Sequence, residues 1–344
     1  MHVRLDASLI VQDPEWLPHT FDPSGSQLMF VRVTREQHRS LPFLDDHRLD
    51  DRFSRTIVPT DAVADALSAT DSGQVRFVFH TAFCCSTLLA NALDASGMAV
   101  GLKEPAIFMN LLHRLQQGHD DSGNGRLDLV LRLLGRRFAG AEVTVAKPAC
   151  FATPLLPKIM KAVPDARAIL LHSDLRTFLL AIAKRGIRGR SWGRRVYCNC
   201  LRHIPMKLGI EGAAALELTD LQVAGLGWLM RRHFIHRMAA QFGAGRMLEL
   251  DAESFLHDPR SVLREASSFF GLFVDDHEIT RIASGPVFGR HSKEGKPFGA
   301  LQRESELQEL RGAHGEEVEI VADWVERIDT DAGHRGAIGL RLAS

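Results

Sequence analysis

The chain has 344 residues, 45% of them hydrophobic, and its 42 basic and 42 acidic side chains balance. That is enough apolar material for a substantial core, in one large domain or two smaller ones. The zero net charge excludes a global nucleic-acid or membrane-surface signature, so any such signal has to be local.

Residues 1–70 are mixed, with a strand at Leu28 to Val33 and a short helix from Pro59 to Leu67. From residue 75 the pattern turns regular. Val75 to His80 is a mostly apolar strand, followed by a helix at 86–95, a strand from Met98 to Leu102 and a helix from Ile107 to Gln117. His119 to Gly125 is a polar loop, and Leu127 to Phe138 a helix. Val143 to Ala146 and Ala166 to Leu171 are strands, each followed by a helix, at Thr153 to Val163 and Leu175 to Lys184. Residues 185–200 are basic, and Lys184 to Arg195 reads as a mobile loop. A long helix covers 219–242, the strand Met247 to Leu250 follows, and then a helix at 259–270. Val318, Val321, Trp324, Val325 and Ile328 give one more helix an apolar face. Strands alternating with helices predict an α/β fold of three layers, with a central, mostly parallel sheet flanked by helices, of the P-loop NTPase kind. The expected division is an accessory segment at 1–70, the α/β domain at 71–300 and a helical accessory segment at 301–344.

Five cysteines, Cys84, Cys85, Cys150, Cys198 and Cys200, are odd in number and too sparse for a disulfide scaffold. With no apolar stretch in Met1 to Asp6 to serve as a signal peptide, they point to a reducing cytoplasm. No apolar run reaches the roughly 18 residues of a membrane span. Cys198-Asn199-Cys200 has no second Cys/His pair at zinc spacing, so no metal is expected.

Ligands of open parallel sheets bind beyond the C-terminal strand ends. Here those ends carry His80, Lys103-Glu104, Lys147, His172-Ser173-Asp174 and Asp251. Each alone also has a plain structural reading: Ser173 or Asp174 caps the next helix, and Lys147 is a solvated strand-end lysine. Their convergence on one rim is the stronger signal. The loop after His80 is the most specific part. On the spacing G-x-x-x-x-G-K-[ST], His80 and Cys85 replace the glycines and Ser86 the lysine, while Thr87 keeps the hydroxyl. Without the lysine, nucleoside triphosphate hydrolysis loses its support. A backbone loop, the Ser86 and Thr87 hydroxyls and a helix N-terminus remain, which suits a bound phosphate.

At these residues the chain resembles the sulfotransferases. "FVFHTAFCCSTLLANALD" (77–94), with "KEP" (103–105) after it, looks like their 5′-phosphosulfate loop. "VAKPACFATPLLPKIMKAVPDARAILLHSDLRTFL" (145–179) is similar to the strand, helix and strand leading to their 3′-phosphate site. "RMLELDAESFLHDPRSVLREASSFFGL" (246–272) and "GRHSKEGKPFG" (289–299) resemble their late strand-turn-helix and basic closing loop. The four blocks cover about 75–300 in family order. The resemblance implies a P-loop-like fold and 3′-phosphoadenosine-5′-phosphosulfate as co-substrate, with no metal. The sulfuryl group would pass to a hydroxyl or amine of a small-molecule or peptide acceptor, with neither nucleic acid nor membrane involved. Residues 1–70, 110–140 and 200–225 would shape the acceptor pocket.

The departures are specific. Cys85 stands where the family has Gly, and Phe83 where it often has Lys or Arg. Ser173 and Ala181 stand at its 3′-phosphate Arg and Ser, and Ala149 at the His many members use as base. The resemblance therefore assigns the base to Glu104, at the position used by the protein-tyrosine branch, or to His80, and charge stabilisation to Lys147. Cys84, Cys85, Ser86 and Thr87 would hold the phosphosulfate. For the rest of the nucleotide the candidates are Ser173, Arg190, Trp192 stacking on adenine, and Arg290, Ser292, Lys293 and Lys296. Two other readings stay open: a P-loop kinase of a small molecule, and a non-catalytic nucleotide-binding protein on a degenerate scaffold.

Overall fold

The computed structural model of the chain describes residues 6–68, 73–119, 125–141, 143–210 and 213–339. The boundary expected at residues 70–71, most of the polar loop 119–125 and nearly all of the N-terminal hexapeptide lie outside them.

In chain order the elements are α1 (Ala7–Gln12), β1 (Trp16–Phe21), β2 (Gln27–Arg32), α2 (Arg35–Ser40), β3 (Arg55–Pro59), α3 (Thr60–Ser68), β4 (Gln74–His80) and α4 (Ser86–Ala95). Next come β5 (Ala99–Lys103), α5 (Ala106–Gln116), α6 (Arg126–Leu134), β6 (Val143–Lys147), a 3-10 helix (Cys150–Leu155), α7 (Leu156–Ala162) and β7 (Arg167–His172). The last part holds α8 (Leu175–Ala183), α9 (Gly186–His203), α10 (Ala213–Leu216), α11 (Asp220–Phe242), β8 (Met247–Asp251), α12 (Ala252–His257), α13 (Pro259–Phe270), α14 (Asp276–Ala283) and α15 (Ala300–Gly339).

The chain forms two compact units. The first comprises Met1–His80, Cys85–Leu171 and Ala239–Gly299. It holds both sheets. Strands β1, β2 and β3 make an antiparallel meander, with Phe30 opposite Thr56. The larger sheet runs in the order β5-β6-β4-β7-β8, with β4–β6, β4–β7 and β5–β6 parallel. This is the central parallel sheet with flanking helices that the alternation predicts. Residues of β5 and β6 are buried on both faces, which is why these strands read as continuous apolar runs rather than alternating ones. Charged anchors tie the meander region in. Asp94 on α4 takes a two-pronged bond from Arg35 (2.9 and 2.8 Å) and a third from Arg39 (2.9 Å), and it also accepts from the Gly101 N–H. Arg136, fully buried, donates to the carbonyls of Leu133, Ile10, Asp13 and Trp16.

The second unit comprises Thr81–Cys84, His172–Met238 and Ala300–Ser344. Its core joins Phe178, Leu179 and Ile182 of α8, Leu221, Ala224 and Leu229 of α11, and Val318, Val321 and Val325 of α15. The basic stretch from Lys184 to Arg195, expected as a mobile loop, instead lies almost wholly in helix α9, from Gly186 onward. Gly189 and Gly193 within it are contact points. A Cβ on Gly189 would lie 2.2 Å from the Ile182 carbonyl oxygen, and one on Gly193 2.7 Å from the Ala224 Cβ. Close helix packing, which propensity does not register, overrides the helix-breaking tendency of glycine.

Candidate functional site

Three neighbouring strands of the first unit, β5, β6 and β4, end side by side at Lys103, Lys147 and His80. The register pairs Lys103 with Lys147. One residue further on, the Glu104 N–H donates to the Lys147 carbonyl at 2.7 Å. Glu104 then turns into the left-handed region, φ +55°. Its carboxylate is folded back onto the same partner, with Lys147 Nζ 2.5 Å from Oε1. The lysine side chain is 0% exposed and the glutamate 21%. The ammonium is thus withdrawn from water while the carboxylate keeps an open edge.

Other groups fix this pair. Lys147 Nζ lies 5.6 Å from the Phe43 ring centroid, and Lys293 Nζ approaches the same ring at 5.6 Å. The loop carrying Phe43 is stitched to the strand end: Leu44 N–H donates to the Lys103 carbonyl (2.7 Å) and Ala106 N–H to the Leu44 carbonyl (3.1 Å). Lys103 turns the other way, donating to the Arg39 carbonyl and Asn91 Oδ1, each at 3.1 Å. Burial, with Arg35 and Lys147 adding to it against Asp94, lowers its pKa to about 8. His80 is buried, with Nε2 3.2 Å from the Pro148 carbonyl oxygen.

The loop after His80 continues the theme of strain. Among the described residues, the non-glycine residues with positive φ are Ala82 (+77°), Phe83 (+53°), Cys85 (+60°) and Glu104. All four lie in the segments that follow β4 and β5. Left-handed backbone costs an L-residue about 1–2 kcal/mol, and where several such residues cluster it marks a site held against local preference. Cys85 takes the position before α4 where a glycine would fit without strain, and its thiol does not cap the helix. Ser86 and Thr87 are buried in the first turn, and Thr87 Oγ1 has no hydrogen-bond partner among the described residues. Cys84 is buried and Cys85 half-buried.

The other candidates divide between the units. His80, Glu104, Lys147, Cys85, Ser86 and Thr87 fall in the first unit, as do Arg290, Ser292 and Lys293. Residues 289–298 form a small hairpin, closed by the bridge from Arg290 to Pro297 and by Phe298 N–H to the Gly289 carbonyl (2.9 Å); Ser292 and Lys293 follow its first arm. Cys84, Ser173, Arg190 and Trp192 belong to the second unit. Ser173 N–H donates to Thr81 Oγ1 (3.4 Å), and the Ser173 hydroxyl is buried without a partner among the described residues. Arg190 is clasped by both oxygens of Glu317 (3.0 and 2.9 Å), which raises its pKa. Trp192 packs against Phe83, 4.9 Å between centroids, and Phe178, 6.4 Å.

Sequence reading misses Phe43, the Asp94 cluster and Arg231, a buried arginine of α11 whose Nη1 donates to the Thr81 carbonyl. Only Arg231 leaves a trace in the sequence. It stands four residues after Gly227 and four before Ile235, on the buried register of its helix. Among the described residues, no three His, Cys, Asp or Glu side chains are grouped to hold a metal ion, and no helix is long and apolar enough to cross a membrane.

No protein-family model and no curated protein sequence matches the chain. Among solved structures it is similar to a sulfotransferase domain from the curacin biosynthetic pathway, at 13% identity and TM-score 0.42, covering 72% of this chain and 99% of that one. It is also similar to a sulfotransferase from Mycobacterium tuberculosis, at 12% identity and TM-score 0.41, covering 65% and 77%. A third is retinol dehydratase in complex with androsterone and inactive cofactor PAP, at 12% identity and TM-score 0.35, covering 80% and 85%.

Proposed function

We propose that the protein transfers a sulfuryl group from 3′-phosphoadenosine-5′-phosphosulfate to a hydroxyl or amine of an acceptor. The observation that carries this reading is the Glu104–Lys147 pair at the strand ends, with Glu104 in the left-handed region at φ +55°. In the reaction the acceptor oxygen or nitrogen attacks sulfur, its proton passes to the Glu104 carboxylate, and the bond from sulfur to the bridging phosphate oxygen breaks. Lys147 offsets the charge that grows on that oxygen as it leaves with the nucleotide. In the resting pair Lys147 Nζ is bonded to Glu104 Oε1 at 2.5 Å. An anion arriving beside Lys147 competes for the ammonium protons and so releases the carboxylate to act as base. Thr87 Oγ1, buried at the mouth of α4 and without a partner among the described residues, fits a phosphate oxygen. The rest is positioning and neutralisation of charge, as in phosphoryl transfer.

A second reading, a binding protein without turnover, is favoured by one observation. Arg190, a cation available to the nucleotide, is already paired with Glu317. Adenosine 3′,5′-bisphosphate at about 100 times its Kd stabilises a protein that binds it by about 2.7 kcal/mol, and a thermal-shift titration reads this directly. No shift with the bisphosphate, together with a clear shift from magnesium ATP, sinks the proposal and revives the kinase. Binding without transfer of label from the phosphosulfate to any of a panel of phenols, alcohols and amines selects the binding protein.

A further inference from the structure

Helix α9 is 18 residues long and contains no acidic side chain. Its arginines divide into two sets. Arg190 and Arg194 are already paired inside the second unit, with Glu317 of α15 (2.9 Å) and with Asp220 of α11. Arg188, Arg195 and Arg202 are exposed, and none of the three has a carboxylate partner among the described residues. They recur every seven residues, about 10.5 Å of helix rise, and so form one stripe along the outer face. Ile187 and Leu201, 76% and 55% exposed, border it. Bare aliphatic side chains beside unpaired arginines have the makeup of a protein contact, where arginine is enriched and lysine depleted.

The same unit carries the complement. On α15, Glu309, Glu316 and Asp323 are exposed and stand at the same seven-residue repeat. No residue three or four positions from Glu309 or Glu316 is basic, and neither has a cationic partner among the described residues. Asp323 accepts from Arg176 at 3.0 Å. Ile320, 63% exposed, borders this stripe as Ile187 borders the other. Within one copy α9 and α15 are neighbours, joined by Arg190 and Glu317, yet the two outward stripes do not meet.

We propose that the stripes meet between copies: the Arg188–Arg195–Arg202 face of α9 docks on the Glu309–Glu316–Asp323 face of α15 in a second copy of this chain. A two-fold axis makes the contact twice, each copy giving one basic and one acidic stripe. Arg190 and Glu317 already show the pairing chemistry between these two helices, through both carboxylate oxygens. The charges lie at the surface, so salt screens the contact. The inference stands on this surface alone and is independent of the sulfuryl-transfer reading.

Sedimentation equilibrium of the full chain, at concentrations up to about 100 μM, tests it. The expected result is a dimer at about 0.01 M salt, where charges act over about 30 Å, and a monomer at about 1 M, where they act over about 3 Å. Two variants reverse one stripe each: Arg188→Glu with Arg195→Glu and Arg202→Glu, and Glu309→Lys with Glu316→Lys. Each alone weakens the dimer by about tenfold or more. An equimolar mixture of the two dimerises again, because every reversed stripe then faces the opposite charge on its partner. Circular dichroism and urea melting check the fold. Should the triple variant fail to fold, Arg195→Glu alone takes its place, in the mixture as well. A wild type that is monomeric at every salt and concentration overturns the inference, and binding of that monomer to phosphatidylserine vesicles through the three arginines gives the stripe to a lipid surface instead. A dimer that ignores salt and both reversals also overturns it. So does a dimer lost in both variants and not regained on mixing.

Discussion

Two ion-paired regions of the molecule use the same chemistry to different ends. On the helical surface of the second unit, Arg176 of α8 reaches Glu319, Asp323 and Glu326 of α15, spaced along one helical face. All four side chains are exposed, the helices are regular, and the acids simply push the arginine pKa up. At the sheet rim of the first unit, Lys147 is withdrawn from water and Glu104 is bent into a left-handed conformation to meet it. The first arrangement costs little and contributes little. The second costs both hydration and backbone energy. Expense of that kind, concentrated at the ends of β4 and β5, locates the candidate site more firmly than any one residue type does.

The largest expected effect comes from breaking the rim. Glu104→Gln lowers the rate of sulfuryl transfer by about 10² to 10⁴ through loss of the base, while the affinity for adenosine 3′,5′-bisphosphate is kept. Label transfer and calorimetry on the same preparation check this, and a variant that keeps wild-type turnover removes Glu104 from the mechanism. Next is Asp94→Ala. It strands Arg35 and the Gly101 N–H in a largely buried site, while the exposed Arg39 returns to water, for a loss of about 3–5 kcal/mol in urea unfolding.

A smaller effect is a pH slope. Burial, with Lys103 and Arg35 adding to it against Asp94, lowers the His38 pKa to about 3. Between there and the unfolded value of 6.5, the unfolded chain binds the proton and the folded one does not, so stability falls as pH drops below about 6.5. The limit is about 1.4 kcal/mol per pH unit. His19, lowered by burial, adds a slope of the same sign. Asp94 does not contribute in this window. Burial raises its pKa, but the bonds from Arg35, Gly101 and Arg39 more than reverse that, so its stabilisation persists until pH falls below the ordinary carboxylate range. His38→Phe flattens the urea-midpoint profile between pH 5 and 6.5, and an unchanged slope assigns it elsewhere. Smallest of all is Arg176→Ala, expected to cost under about 1 kcal/mol and less still in high salt. A loss as large as that of Asp94→Ala would erase the contrast between the two regions.

Local signals in the sequence carry far where local physics decides. Helix α13 is read at its observed limits, 259–270, because Asp258 caps it, Pro259 opens it and Gly271 ends it at φ +75°. The apolar strands and their charged ends are legible for the same reason: a strand buried on both faces has no polar positions until it stops. The reading fails where packing overrides composition. The basic stretch with its interleaved glycines reads as a mobile loop in the sequence, yet Gly189 and Gly193 are places where helices touch.

The sequence by itself therefore determined the α/β class, most of the strands and helices, and the set of ionisable groups at the rim, because hydrophobic period and capping act within a few residues. Only the tertiary structure decided how those groups pair. The register of β5 on β6 brings Glu104 to Lys147 across 43 residues of chain. A contact spanning 150 residues sets Arg231 beneath the Thr81 carbonyl. Strand register and helix packing create such proximities, and no local pattern encodes which distant carbonyl or carboxylate a buried cation will meet.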